Sequence, residues 1–509
     1  MGRLRTPLPL LLLLAACGEP ERPFVMVLGS EPSSFDPHWT NESAAFAVNS
    51  NLYDSLVETD PALAILPRLA TRWLNPDELT WVFEVRRDVR FHDGTLLQAD
   101  DVVASLVRAR DHPRSQFRAA LQSVVEVEAS SAYEVRVRTH EPTPTLLRYL
   151  VPIAIAPSER LTSATPLERD PVGSGPYRFI AKDAGTAAIT LRRFAGFWGG
   201  NATLDRVTVR AIPDEKERLR MLVAGAADLI TDVPPSGVAQ LRSVSDLRLL
   251  RATGLRETFL VFDVSRQKTP YASPPRNPFL DKRVRQAFVH AVDRGRLVRE
   301  VLLGFGQEAT QFAAPGVFGF NPEIRPTPFD PEAARRLLAE AGHPAGFSLT
   351  LDAPRGVHPG DADAAQRVAE DLRAVGVAVQ LNLLPKEPMF DKLARRDISL
   401  CLATWNSLSG DMQEIYLNLL KTPRPGSGQG DDNAGGYSNP AVDAVFEEAG
   451  ATSTPDVRLQ RLKDGVALAI ADVPWVPLFV QDQLYGIRAP YDWPARPDKR
   501  VRLSEVRRR

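Results

Sequence analysis

Arg90-Phe91-His92-Asp93-Gly94-Thr95 sets an imidazole beside a carboxylate, a pairing used both in acid–base catalysis and in metal ligation. The surroundings favour a simpler use. Asp93-Gly94 is a turn pair, in which the Asp side chain bonds nearby backbone and the Gly accepts positive φ. Leu79-Thr80-Trp81-Val82-Phe83-Glu84-Val85 before it alternates as a strand with one buried face. Val102, Val103, Leu106 and Val107 after it recur at helical spacing, with Asp100 and Asp101 at the helix end that favours carboxylates. The His-Asp pair is therefore expected to build a strand–turn–helix corner.

Other candidate chemistry is equally thin. His290 and Asp293 fall three apart on an amphipathic helix and read as a surface pair. The seven histidines form no His-Glu-x-x-His or His-x-His pattern, and there is no Gly-x-Ser-x-Gly elbow. The glycines of Pro171-Val172-Gly173-Ser174-Gly175-Pro176-Tyr177 lack the Lys-Ser or Lys-Thr of a phosphate loop and predict a tight turn. Asp431-Asp432-Asn433 lacks EF-hand spacing, and Cys401 sits in an apolar strand-like run as a small hydrophobe. A hydrolase, weighed as a rival reading, would lack its machinery; no enzyme activity, metal or cofactor is expected.

The 509 residues carry 62 basic and 63 acidic side chains, so no electrostatic footprint for nucleic acid is present. Arg507-Arg508-Arg509 reads as a solvated tail. Arg3 and Arg5 precede the apolar run Leu8 to Ala16, far shorter than the ~20 residues of a membrane-spanning helix, which marks residues 1–16 as a signal peptide. Leu14-Ala15-Ala16-Cys17 resembles the lipobox of bacterial lipoproteins, which implies acylation of Cys17, a tether over 17–23, and a protein anchored to a membrane by lipid alone. Gly18 stands where an Asp would signal inner-membrane retention. Lipidation at Cys17 would leave Cys401 without an intramolecular disulfide partner.

The elements along the chain are well signalled. Val125-Val127-Ala129 and Tyr133-Val135-Val137 flank Ser130-Ser131 as a hairpin. Asp281 is placed to cap a helix whose stripe is Val284, Ala287, Phe288, Ala291 and Val292. Asp330-Pro331 opens another that stops before Gly342. Phe347, Leu349 and Leu351, a helix around Val368 and Leu372, and then Val377, Val379, Leu381 and Leu383 predict a parallel strand–helix–strand crossover.

Several of these stretches, in this order, resemble the family 5 extracellular solute-binding proteins. Phe91-His92-Asp93-Gly94-Thr95 with Ala99-Asp100-Asp101-Val102-Val103, Pro171 to Tyr177, Pro278-Phe279-Leu280-Asp281-Lys282-Arg283-Val284-Arg285-Gln286-Ala287, Gly436-Tyr437-Ser438-Asn439-Pro440 and Pro474-Trp475-Val476-Pro477-Leu478 carry the likeness from about Val25 to Phe479. Phe194-Ala195-Gly196 departs from the family's Asn-Pro pairing.

The resemblance implies an α/β fold of the class II periplasmic-binding-protein type: two α/β lobes joined by a hinge, plus a smaller extra lobe. On it, lobe I would comprise 24–50, 170–262 and 478–509, the extra lobe 51–169 and lobe II 263–477, with crossings near Phe262-Asp263 and Val476–Phe479. It further implies a monomer that binds a small solute, a peptide or peptide-like compound, and works with an ABC permease and its ATPase. A sensor or chaperone on the same fold is the alternative.

Carried over by matching segments, the ligand-binding candidates are Glu31 and Ser33 of the first cleft loop, Phe117 of the extra lobe, and Trp405 with Asn406 of lobe II. Trp405 offers a broad apolar wall and one donor, or else a core position after a buried strand. Peptide binders of the family commonly carry an Asp three residues after that Trp, to pair with a peptide ammonium. Leu408 occupies that place and Asp411 is the nearest carboxylate, so either Asp411 substitutes or the ligand lacks an ammonium, as a haem, nickel or opine ligand would.

Overall fold

The computed structural model describes residues 22–163, 166–200, 202–358, 360–424 and 429–509. The signal segment 1–16 and Cys17 lie outside the described residues, and of the 17–23 tether only Arg22 and Pro23 are described.

Two long strands tie the chain together. Leu247–Phe262 and Trp475–Arg488 run antiparallel, from Leu247↔Arg488 to Thr253↔Asp482 and again from Glu257↔Val480 onward. The ladder breaks at Gly254, Leu255 and Arg256, and a Cβ at Gly254 would stand 2.3 Å from the Gln481 carbonyl oxygen, an approach only glycine permits. On one side of the break the second strand pairs with Leu229–Ile230; on the other the first strand pairs with Leu400–Asn406, from Arg256↔Asn406 to Phe262↔Leu400. The chain thus changes partner at Gly254–Arg256, earlier than the Phe262-Asp263 crossing expected from the sequence. The apolar run Phe259 to Phe262 is common to any buried strand and does not say which lobe buries it.

The first lobe's sheet runs Tyr177–Lys182, Ile189–Arg193, Arg206–Ala211, Phe24–Leu28, Leu229–Ile230 and then the long strands. Phe24–Leu28 lies parallel to both of its neighbours. In the second lobe Phe347–Pro354 is parallel to Val377–Leu384 and to Leu400–Asn406, with helix Asp361–Ala374 between the first two, as the crossover pattern predicts. Leu260 and Phe262 face one core with Phe279, Phe288 and Val368, while Phe259 and Val261 face another with Trp475, Ile415 and Phe446. Strand alternation accounts for the division.

The smaller lobe is a four-stranded antiparallel sheet, Ala70–Asp77, Thr80–Val85, Glu134–Thr139, Val124–Ser131, and includes the predicted hairpin. Helix Ala99–Asp111 packs on it, and Asp101 accepts the Gln98 amide at 2.9 Å to close a capping box. The Asp93 carboxylate takes the Thr95 amide at 3.0 Å and Gly94 has φ 93°, so the expected turn is present. His92 reaches further. Its Nε2–H donates to the Gly175 carbonyl at 3.0 Å and its Nδ1 accepts from the Gly173 amide at 3.3 Å, joining the corner to the Pro171–Tyr177 segment. Gly173 and Gly175 allow close contact, since a Cβ at either would meet the backbone of Leu52 or Asn51 within 2.6 Å.

Candidate functional site

Ligands of open α/β sheets bind beyond the carboxyl ends of parallel strands, where loops diverge and helices begin. Both lobes turn those ends toward one space. From the first lobe come Gly29 and Ser30 after Phe24–Leu28, Pro213 after Arg206–Ala211, and Thr231, Asp232 and Val233 after Leu229–Ile230. From the second come Gly356, Val357 and His358 after Phe347–Pro354. The long strands supply Arg256 and Gln481 to Tyr485, and the cleft between them measures about 610 Å³, within the range of small-molecule sites.

Its charges are mostly engaged. Asp232, though exposed, accepts from Lys499 at 2.8 Å, which holds its carboxyl below the usual carboxylate range against partial desolvation. Asp482 meets Arg251 at 2.5 Å. Arg218 donates to the carbonyls of Ile212, Pro213, Thr231 and Asp232 and so pins the loops of the first lobe. Glu215 stands in the first turn of helix Glu215–Val223, where its charge suits the helix end. The Arg256 guanidinium makes no hydrogen bond or ion pair with any described residue, and burial lowers its pKa. His358 is held to about 4, first by burial and then by Arg256, Lys499 and Lys386, so it is neutral at pH 7.

The sequence candidates fall in different places. Asn406 is exposed and pairs with Arg256 across the strands, so the two share a face of the sheet. Trp405 pairs with Glu257 and faces the opposite side, where it borders a second cavity of about 720 Å³ with Phe259, Val261, Trp475 and Phe390. Its indole N–H is buried without a partner among the described residues. Glu31 is exposed beside Ser30 and ion-pairs with Lys182, while the Ser33 hydroxyl donates to that of Thr40 at 3.0 Å.

Two candidates prove structural. Phe117 is 5 % exposed in the hydrophobic core of the first and extra lobes and lines neither cavity. Asp411 is wholly buried: its two oxygens accept from Arg458 at 2.8 Å each, Arg148 lies 3.4 Å away, and it caps helix Met412–Ile415. It cannot replace the missing acid after Trp405. Glu414 does not replace it either, since it is 7 % exposed and accepts from the Ser407 hydroxyl and the Leu408 and Ser409 amides. Leu408 itself is 57 % exposed.

Among the described residues no group of three His, Cys, Asp or Glu stands close enough to hold a metal, and none forms a helix long and apolar enough to cross a membrane. Arg256, His358 and Lys499 were not singled out from sequence. The one available signal was Arg256-Glu257, a charged pair just before the apolar run Phe259 to Phe262.

Residues 64–427 match the family described as Bacterial extracellular solute-binding proteins, family 5 Middle. The glutathione-binding protein GsiB of Escherichia coli (strain K12) is 25% identical over 488 residues, 92% of this chain and 91% of that protein. HbpA2 from Haemophilus parasuis superposes with a TM-score of 0.85 at 24% identity, covering 96% of this chain and 100% of that one. DppA from Helicobacter pylori, solved with the peptide STSA, gives 0.75 at 23% identity over 95% and 98%. These solved structures share the fold, two α/β lobes with an interlobe cleft. The chain belongs to the family 5 bacterial extracellular solute-binding proteins.

Proposed function

We propose that this chain is the binding component of an ABC importer, capturing a peptide or glutathione-like solute between its lobes and delivering it to a permease and ATPase. The observation that carries the reading is the cavity of about 610 Å³ lined by both lobes and by the two long strands Leu247–Phe262 and Trp475–Arg488 that join them. Contacts made to both lobes favour the closed arrangement, and hinge closure then converts solute binding into a shape the permease can read. The names of relatives that bind glutathione and peptides support that solute class.

Asn406, on the face of Arg256, is the lobe II contact of this reading, while Trp405 offers a wall of the second cavity on the opposite face; Glu31 and Ser33 flank the lobe I loop. Acylation of Cys17 would hold the monomer at the outer side of a membrane, in the periplasm where two membranes exist.

The test is isothermal calorimetry with a panel of di- and tripeptides, glutathione, opines and nickel–histidine. At least one peptide or glutathione-type compound binds with one site per monomer and raises the melting temperature by mass action. Hydrolysis of any panel member, or silence across the whole panel, refutes the reading.

A further inference from the structure

We propose that Arg256 is the anchor for a carboxylate of the bound solute, so that this site grips its ligand by the acid end. The inference rests on the solute-binding reading and narrows its ligand to carboxylate-bearing compounds.

Arg256 is placed by the break in the hinge ladder. Gly254, Leu255 and Arg256 leave the pairing with Trp475–Arg488, and Arg256 turns its side chain to the interlobe cavity while its backbone pairs with Asn406. A guanidinium presents a planar fork of donors that matches a carboxylate in two parallel hydrogen bonds. Here that fork is empty.

The neighbouring acids do not fill it. Asp232 bonds Lys499 at 2.8 Å, Asp482 meets Arg251 at 2.5 Å, and Asp361 accepts the His358 amide at 2.6 Å. Asp232 and Asp361 act on Arg256 only through space, and burial raises the Asp361 carboxyl to about 6. Glu215 stands in a helix first turn and does not perturb Arg256. Among the described residues the cation of the cavity without a direct side-chain partner is thus Arg256, and Lys499 and Lys386 add to the positive potential felt by His358.

The opposite pole of recognition is missing. The loop after Trp405 carries Leu408 where a free acid would take an ammonium, while Asp411 and Glu414 are buried in internal bonds. A cation without a partner on the hinge and no free acid on that loop together reverse the polarity of grip.

Calorimetry on the purified chain with glutathione and trialanine, each as free acid and as C-terminal amide, tests this. In the unmodified protein the acid binds about 10- to 100-fold more tightly than its amide, the loss expected when a charge-assisted hydrogen bond is removed. Arg256→Gln brings the acid to the level of the amide, and Arg256→Lys keeps part of the difference. Because the readout is the acid-to-amide ratio within each variant, a change in stability cannot imitate it. A ratio near one in the unmodified protein, or one that persists in Arg256→Gln, overturns the inference and leaves solute binding intact. If neither acids nor amides bind the unmodified protein while another member of the panel does, the inference falls alone; silence across the whole panel takes the solute-binding reading with it.

Discussion

Glu257 gives the sharpest test of how the hinge region is built. It lies on the strand that crosses between lobes, is 3 % exposed, and neither carboxyl oxygen has a partner. Burial alone pushes its carboxyl well above the usual carboxylate range, with no charged group contributing. The native state therefore keeps a proton that the unfolded chain releases near 4.5, the ordinary value for a glutamate. Stability from this residue is complete below that pH and drains as pH rises toward the folded value, by about 1.4 kcal/mol per pH unit. Glu257→Gln keeps the shape and the unpartnered oxygen but removes the titration. The variant and the unmodified protein should melt nearly together at pH 4.5 to 5. The variant should then gain by about 1.4 kcal/mol per pH unit, some 2–4 °C for each kcal/mol in a unit of 150–250 residues. Scanning calorimetry from pH 5 to 8 measures the gap. A gap that stays constant over that range, or widens toward acid, refutes a protonated Glu257.

The histidines pull the other way. His38 and His92 are both held to about 4 by burial, so they remain neutral when folded, and stability is lost as pH falls from 6.5 toward 4, on the order of 1.4 kcal/mol per pH unit for each; in His92→Gln, denaturant titrations over that range should show one proton fewer in the slope. Asp411→Asn should cost about 3–5 kcal/mol in urea unfolding, because Arg458 would be left buried and uncompensated, whereas affinity per folded molecule stays unchanged. If the solute also reaches the second cavity, Trp405→Ala weakens it about tenfold or more in calorimetry, equivalent to ~1.4 kcal/mol. Unchanged affinity with lowered stability would make Trp405 a core residue.

Local rules carried much of the fold. Asp281 and Asp330 cap their helices as their positions imply, and the parallel crossover from Phe347 to Leu384 follows its alternating pattern. The corner at His92-Asp93-Gly94 was legible as a turn, but not the two hydrogen bonds that join His92 to Gly173 and Gly175, since contacts between residues 81 and 83 apart leave no periodic trace. Pro171–Tyr177 read as a tight turn, whereas Gly173 and Gly175 serve close approach to a helix end. The site was less legible still. Asp411 has the right chemistry for an ammonium, and only its burial against Arg458 disqualifies it. Arg256 has the right chemistry for an acid, and only the lack of a partner in three dimensions singles it out.

The pairing of Val261 with Trp475 has a consequence for how such a protein can vary. The stretch from 262 to 474 leaves and returns through adjacent residues of one ribbon, with its ends at the ~5 Å separation of paired strand positions. The second lobe is therefore an insert whose two ends already meet, so it can be lengthened, trimmed or exchanged as a cassette without rethreading the first.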